Sequence, residues 1–331
     1  QPYQESAGVT GRQTSRQATR QRTRKPSSQR GQVRGRLGNR NRKRNRRHGP
    51  INALKRSWRK ANWPTRIKMV LIPTVAVVVV VALVAGLVRF TNWRAQVRAA
   101  EAAQLELTRT YDFNPGNIIS DGQFFNGSAM SQAEVQSFLD TQGGSLAAMT
   151  FDTSNESGEG LCADYTGTKG ESAAAIIDQS ARACKVSQKV LLTVMQKEQH
   201  LVTAVDPSDY QLMAAMGLNC PDTADCDPTY AGFFRQVYGA AKRYRYYLEH
   251  EEQYGYTAHN LNYIQYHPNA ACGGAQVYIE NKATALLYIY TPYQPNIAAL
   301  AAGNGTGDSC SSYGNRNFAL IYTSWFGSPR S

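Results

Sequence analysis

In "KVLLTVMQKEQHLVTAVDP", residues 189–207, a carboxylate stands where an apolar residue belongs. At about 100° per residue, Leu191, Met195, Glu198 and Val202 share one face of a helix. Lys197 and Gln199 are then expected to point away to the polar side, leaving Glu198 without a neutralising sequence neighbour. A carboxyl set among aliphatic side chains resists ionising, and a proton held near neutral pH is what a general acid needs. The alternative is a structural carboxylate paired with a buried Arg or Tyr, or one at a helix end where the stripe reaches solvent.

A glycosidase that works with two carboxylates needs the second about 5 to 9.5 Å from the acid. Asp206, Asp209, Asp222, Asp225 and Asp227 follow within reach along the chain, and no spacing singles one out; Asp222 and Asp225 also suit a turn between Cys220 and Cys226. Other chemistries find less support. His200 follows Glu198 by two residues, so the pair of histidines four apart that grips zinc in a metalloprotease helix is missing. No glycine loop precedes a helix as a phosphate cradle would, and no metal or cofactor is indicated.

The elements that hold Glu198 are mostly helical. "SQAEVQSFLDTQGG" reads as a capped helix, with Ser131 as N-cap, Glu134 completing the capping box and Gly143 as the stop. "SAAAIIDQSARAC" follows, then the Glu198 helix with Ser187 as its N-cap, "DYQLMAAMG", and the aromatic helix "YAGFFRQVYGAAKRYRYYLEHEEQYGY". In that last helix Phe233, Val237, Ala240, Tyr244 and Leu248 make the core stripe. Gln236, wedged among aromatics, is a candidate hydrogen-bond partner for a substrate, and Tyr210, Tyr238 and Tyr293 are candidate stacking faces. "NKATALLYIYTPY" and "NRNFALIYTSWFG" read as two more helices, and "GAQVYIE" is the best candidate strand.

Charge divides the chain. Of 37 Lys and Arg, 21 fall in residues 1–68 beside a single acid, Glu5; the remaining residues hold 16 basic and 23 acidic side chains. Between the halves, "MVLIPTVAVVVVVALVAGLV" runs for 20 residues without a charge, enough for roughly 30 Å of hydrocarbon. It reads as an uncleaved signal anchor, since the basic lead of 68 residues is too long for a signal peptide. Lys55, Arg56, Arg59, Lys60, Arg66 and Lys68 before the span outnumber Arg89, Arg94 and Arg98 after it, which places the N-terminus in the cytoplasm and the C-terminal part outside the cell. Trp58, Trp63 and Trp93 suit the interfaces. All six cysteines, Cys162, Cys184, Cys220, Cys226, Cys272 and Cys310, follow the span, as an oxidising compartment favours; sequential pairing is the simplest of 15 connectivities.

The expected organisation is therefore a disordered basic cytoplasmic tail over 1–65, a transmembrane anchor over 66–90, a helical stalk over 91–112 and an extracellular domain over 113–331. Beyond the bilayer, the tail is suited to anionic lipid, and equally to an acidic protein or nucleic acid.

"LLTVMQKEQHLVT" resembles the helix that carries the general-acid Glu near its end in the lysozyme-like superfamily of goose-type lysozymes and lytic transglycosylases, with Glu198 at the matching position. Where many transglycosylases have Glu-Ser this chain has Glu-Gln, and "LMAAMGLN" is similar to the glycine- and methionine-bearing segment that follows there. "FNPGNIISDGQFFN", "CPDTADCDPTYAGFFRQVYGAA", "YHPNAACGGAQVYIENKATALLYIYTPYQPN" and "GTGDSCSSYGNRNFALIYTSWFGS" resemble a family of secreted or membrane-anchored actinobacterial wall proteins, often labelled hemagglutinin. The resemblances imply a mainly α, disulfide-braced, lysozyme-like domain that cleaves the glycan strands of peptidoglycan with Glu198 as acid. In the transglycosylases the sugar's own 6-hydroxyl attacks, so one Glu suffices. The competing implication is a non-catalytic wall-binding or adhesin module, or an accessory subunit of an envelope complex.

Overall fold

The computed structural model describes residues 49–220 and 226–331. The chain divides into two units, residues 1–74 and 75–331. In the first, Pro50 supplies the preset first turn of helix α1 (Pro50–Lys60), whose Ile51, Leu54 and Trp58 fall on one side at helical spacing. This helix lies in the stretch expected to be unstructured; the expected tail before residue 49 lies outside the described residues. Helix α2 (Trp63–Tyr111) then runs without interruption through Pro73, so the expected anchor and stalk are one element. It is long and apolar enough to cross a membrane, and its most apolar window is wholly unburied.

The second unit begins within α2. Only Val97, Ala100 and Gln104 of α2 are buried, and after Tyr111 the chain turns through Asp112 at φ 52°. Short α3 (Asp121–Phe124) and capped α4 (Gln132–Gln142) follow. In α4 the Ser131 side chain accepts from the Glu134 amide, Glu134 reciprocates, and Gly143 stops the helix at φ 73°, as its sequence requires. Residues 152–170 form a loop held by a minimal antiparallel ribbon of β1 (Thr150–Phe151) and β2 (Glu171–Ser172). Next come α5 (Ala173–Cys184), α6 (Gln188–Gln199), α7 (Asp209–Met213) and α8 (Phe233–Glu249). Strands β3 (Asn260–Gln265) and β4 (Gly274–Ile279) pair antiparallel, with Asn260 opposite Ile279 and Gln265 opposite Gly274. Helices α9 (Lys282–Tyr290), α10 (Ile297–Ala301) and α11 (Gly314–Phe326) complete the domain.

The architecture is mainly helical, as expected. Helix α5 packs against α4, α6 and α8, while α11 covers another side of α6. Val190, Leu191, Leu192, Thr193, Val194 and Met195 of α6 are all buried, so α6 is enclosed all round rather than along one stripe. Ser187 occupies its N-cap position, but its hydroxyl makes no cap bond and has no partner among the described residues.

The disulfides pair sequentially: Cys162 with Cys184, Cys220 with Cys226 and Cys272 with Cys310. Their sequence separations of 22, 6 and 38 residues correspond to about 3, 2 and 4 kcal/mol of denatured-state constraint on a chain-entropy basis. Chemical denaturation of the three Cys-pair→Ala variants should accordingly show the largest loss for Cys272 and Cys310.

The free edge of β4 is closed by a side chain. Gln104 accepts the Tyr278 N–H at 2.8 Å and donates to the Tyr278 carbonyl at 3.2 Å, taking both bonds that a neighbouring strand would supply. Gln104→Ala leaves that peptide unpaired under α2 and should cost about 2 kcal/mol, read as a shift of the denaturation midpoint.

Candidate active site

Glu198 emerges in the last turn of α6, next to His200, which caps the helix in the left-handed region at φ 52°. Its side chain keeps 26% of its surface exposed, while that of Lys197 keeps only 6%. The Lys197 Nζ lies 2.5 Å from Glu198 Oε1 and also donates to Thr291 Oγ1 at 3.0 Å. It stands 5.9 Å from the centre of the Tyr290 ring. This corrects the expectation that Lys197 points to water and leaves Glu198 unneutralised. On this side the last turn of α6 meets Tyr290 and Thr291 rather than water, so the lysine stem runs under them and brings its ammonium round to the carboxylate.

Facing the carboxyl is Gly217, in the loop that follows α7. Its φ of 68° favours glycine, and a Cβ there would stand 3.2 Å from Glu198 Cδ and 3.3 Å from Oε2, too close for an unadjusted contact. The loop is pinned on both sides. Gln236 of α8 accepts the N–H groups of Met216 at 3.1 Å and Leu218 at 3.0 Å, and donates to the carbonyls of Leu218 and Tyr230, both at 2.9 Å. From the other side the Tyr290 hydroxyl donates to the Met216 carbonyl at 2.6 Å, while its ring stacks on Tyr244 with centroids 5.0 Å apart.

Burial, followed by the Glu198 charge, pushes the Tyr244 hydroxyl well above the ordinary phenol range. Tyr290 is raised by burial, by Tyr244 and then by Glu198. Both stay protonated, so the Tyr290 donor to the loop is permanent. The Tyr244 hydroxyl is wholly buried and has no hydrogen-bond partner among the described residues.

The expected sugar contacts divide into two groups. Gln236 is fully buried and its amide is spent on four backbone groups, leaving nothing to offer a ligand. Tyr238 is 2% exposed and donates to the Ala163 carbonyl at 2.9 Å; burial and then Asp164, Glu156 and Glu159 push its hydroxyl up to about 12. Both are structural because the N-terminal half of α8 is packed on nearly all sides, not along the single stripe read from its sequence. Tyr210, by contrast, is exposed, with its hydroxyl 3.9 Å from Cys226 Sγ. Tyr293 is half-buried and forms a parallel bridge with Gln265.

Of the candidate second carboxylates, Asp206 and Asp209 are exposed, Asp209 as the first residue of α7. Asp227 caps the turn at Pro228–Tyr230: its bonds to Thr229, above all the backbone N–H at 2.9 Å, hold its carboxyl below the usual range, with Asn219 adding a smaller share. Asp222 and Asp225 lie outside the described residues. A cavity of about 540 Å³ opens on a different side of α6, lined by Gln196, Thr203, Arg316 and Trp325 among others, and Glu198 does not line it. Among the described residues no three His, Cys, Asp or Glu side chains converge as a metal site requires.

From residue 117 to residue 331 the sequence matches the family described as "LasA, N-terminal domain". The chain belongs to that family. The match takes in Glu198, Gly217, Gln236 and all three disulfides, and the LasA N-terminal domain family is cell-wall-related, in keeping with the wall resemblance of the sequence. It assigns neither a lysozyme-like fold nor an actinobacterial grouping. No curated protein and no solved structure matches the chain.

Residue-by-residue reading of the sequence missed Lys197 as the partner of Glu198, and Tyr290 and Gln236 as the supports of the facing loop. The signal that does point to the pairing is "LMAAMGLN", whose glycine is the one seated on the carboxyl.

Proposed function

We propose that this LasA N-terminal family member cleaves the glycan strands of peptidoglycan at the cell surface, with Glu198 as the proton donor. The observation that supports this reading is the seat of the Glu198 carboxyl on Gly217: it is part-exposed at a helix end, against the glycine of the segment that resembles the lysozyme-like superfamily. The close approach of the Gly217 backbone fixes the carboxyl from one side, and a glycosidic oxygen would approach from its solvent-exposed side.

In the reaction we infer, protonated Glu198 gives its proton to the glycosidic oxygen as the C1–O bond breaks. The sugar's own 6-hydroxyl then attacks C1, and the resulting Glu198 carboxylate takes that hydroxyl's proton, closing an anhydro ring and restoring the acid. Lys197 orients the carboxyl, and its own bond to Thr291 Oγ1 holds the ammonium in place. Tyr210 and Tyr293, the candidates with accessible surface, supply the sugar-stacking faces. Asp206 and Asp209 are the carboxylates a hydrolase would recruit. Mass spectrometry of the released fragments tests the choice: anhydro ends support the one-carboxylate route, and reducing ends point to hydrolysis.

The second reading, a non-catalytic wall-binding module, is favoured by the Lys197 ammonium resting on Glu198 Oε1. In both readings α2 anchors the domain outside the membrane, with the basic N-terminal segment in the cytoplasm. The support is the charge asymmetry around the apolar run and the confinement of cystines to residues after it.

A further inference from the structure

The first unit, residues 1–74, contains a second candidate site that has no part in the Glu198 chemistry. Between α1 and the first turns of α2 lies an apolar cavity of about 520 Å³, walled by Trp58, Trp63, Ile67, Val70 and Leu71. Its walls are open to the surroundings: Trp63 is 75% exposed and Leu71 56%. At its edge stands Arg66, whose Nε donates to the Trp58 carbonyl at 3.2 Å and whose guanidinium carbon lies 5.8 Å from the centre of the Trp58 ring. These contacts leave the terminal guanidinium nitrogens without a hydrogen-bond or carboxylate partner among the described residues. The sequence supplies no acid to neutralise them, for none occurs between Glu5 and Glu101.

An apolar slot with a fixed cation at its rim, at the start of a helix able to span a bilayer, matches one kind of molecule. We propose that this cavity binds an anionic phospholipid, with the headgroup phosphate on the Arg66 guanidinium and the upper acyl chain along Ile67, Val70 and Leu71. Arg presents two parallel N–H donors to phosphate, and the tryptophans suit the depth at which headgroup gives way to hydrocarbon. Lys55, Arg59, Lys60 and Lys68 add general attraction to an acidic leaflet, but they do not line the cavity. Helix α1 would then lie along the membrane surface with Ile51 and Leu54 facing the lipid. The inference rests on α2 as the membrane span.

The test reconstitutes the full chain in nanodiscs of mixed phosphatidylglycerol and phosphatidylcholine, extracts it in mild detergent, and counts retained lipid by native mass spectrometry. The expected result is preferential retention of one phosphatidylglycerol, lowered about five-fold by Arg66→Gln and left within about two-fold by Arg59→Gln, which removes the same charge outside the cavity. Equal retention of the two lipids would overturn the site, as would an equal loss in both variants, which would mean diffuse attraction to the basic segment. Failure of the wild type to enter nanodiscs would instead overturn the membrane span and the lipid site with it, leaving the Glu198 proposal standing.

Discussion

Glu198→Gln is expected to lower release of wall fragments by about a hundred- to ten-thousand-fold, the range of a lost general acid, while thermal stability changes little. The amide has the shape of the carboxyl, its oxygen can still accept from Lys197, and Lys197 retains Thr291 Oγ1. The seat on Gly217 is also kept, because nothing larger is introduced against its backbone. Circular dichroism and a melting curve beside the activity assay separate this loss from unfolding. If the variant cleaves like the wild type, Glu198 is a structural residue and its pairing with Lys197 is its whole role.

Gln236→Leu is expected to fail differently, losing stability and activity together. The substitution preserves volume but strips partners from four buried-loop backbone groups: the N–H groups of Met216 and Leu218 and the carbonyls of Leu218 and Tyr230. Leaving a buried polar group unpaired costs roughly 1 to 3 kcal/mol, so a loss of about 4 kcal/mol or more is expected, enough to threaten a domain of ordinary stability. The Tyr290 hydroxyl would still hold Met216 from the other side, so the residual loop should loosen around Gly217 first. A fall in the denaturation midpoint that tracks the activity loss supports this positioning role. Unchanged stability with lost activity would instead indicate that Gln236 meets the substrate itself.

The contrast between these two residues marks what the sequence could reveal. The helix around Ser131 and Glu134 was legible because its start and stop are written in adjacent residues that bond to one another. Sequential disulfides were legible because neighbouring cysteines in short loops are the simplest closure. Strand β3 was not, because its burial alternates through a polar Asn262 that bonds back to Thr257 and Asn260, and its β character comes from pairing with β4.

Glu198 stood out because a charge interrupts an apolar pattern, yet the same pattern misled about Lys197. An apolar stripe marks the inner side of a helix only where the other side meets water, and α6 is covered by other elements on every side until its last turn. Gln236 shows the same limit: a polar residue among aromatics signals that something is bonded, but three of its four partner groups lie 18 or 20 residues away in a loop whose path no local pattern sets.

The most direct test of the central claim is fragment release from purified peptidoglycan by the wild-type chain with its disulfides intact. The account predicts that soluble muropeptides accumulate with time, and that the Glu198→Gln protein, folded and still able to bind the wall, releases none above background. Wild-type protein that binds peptidoglycan and releases nothing would contradict it, and would make this LasA N-terminal family domain a wall-binding module.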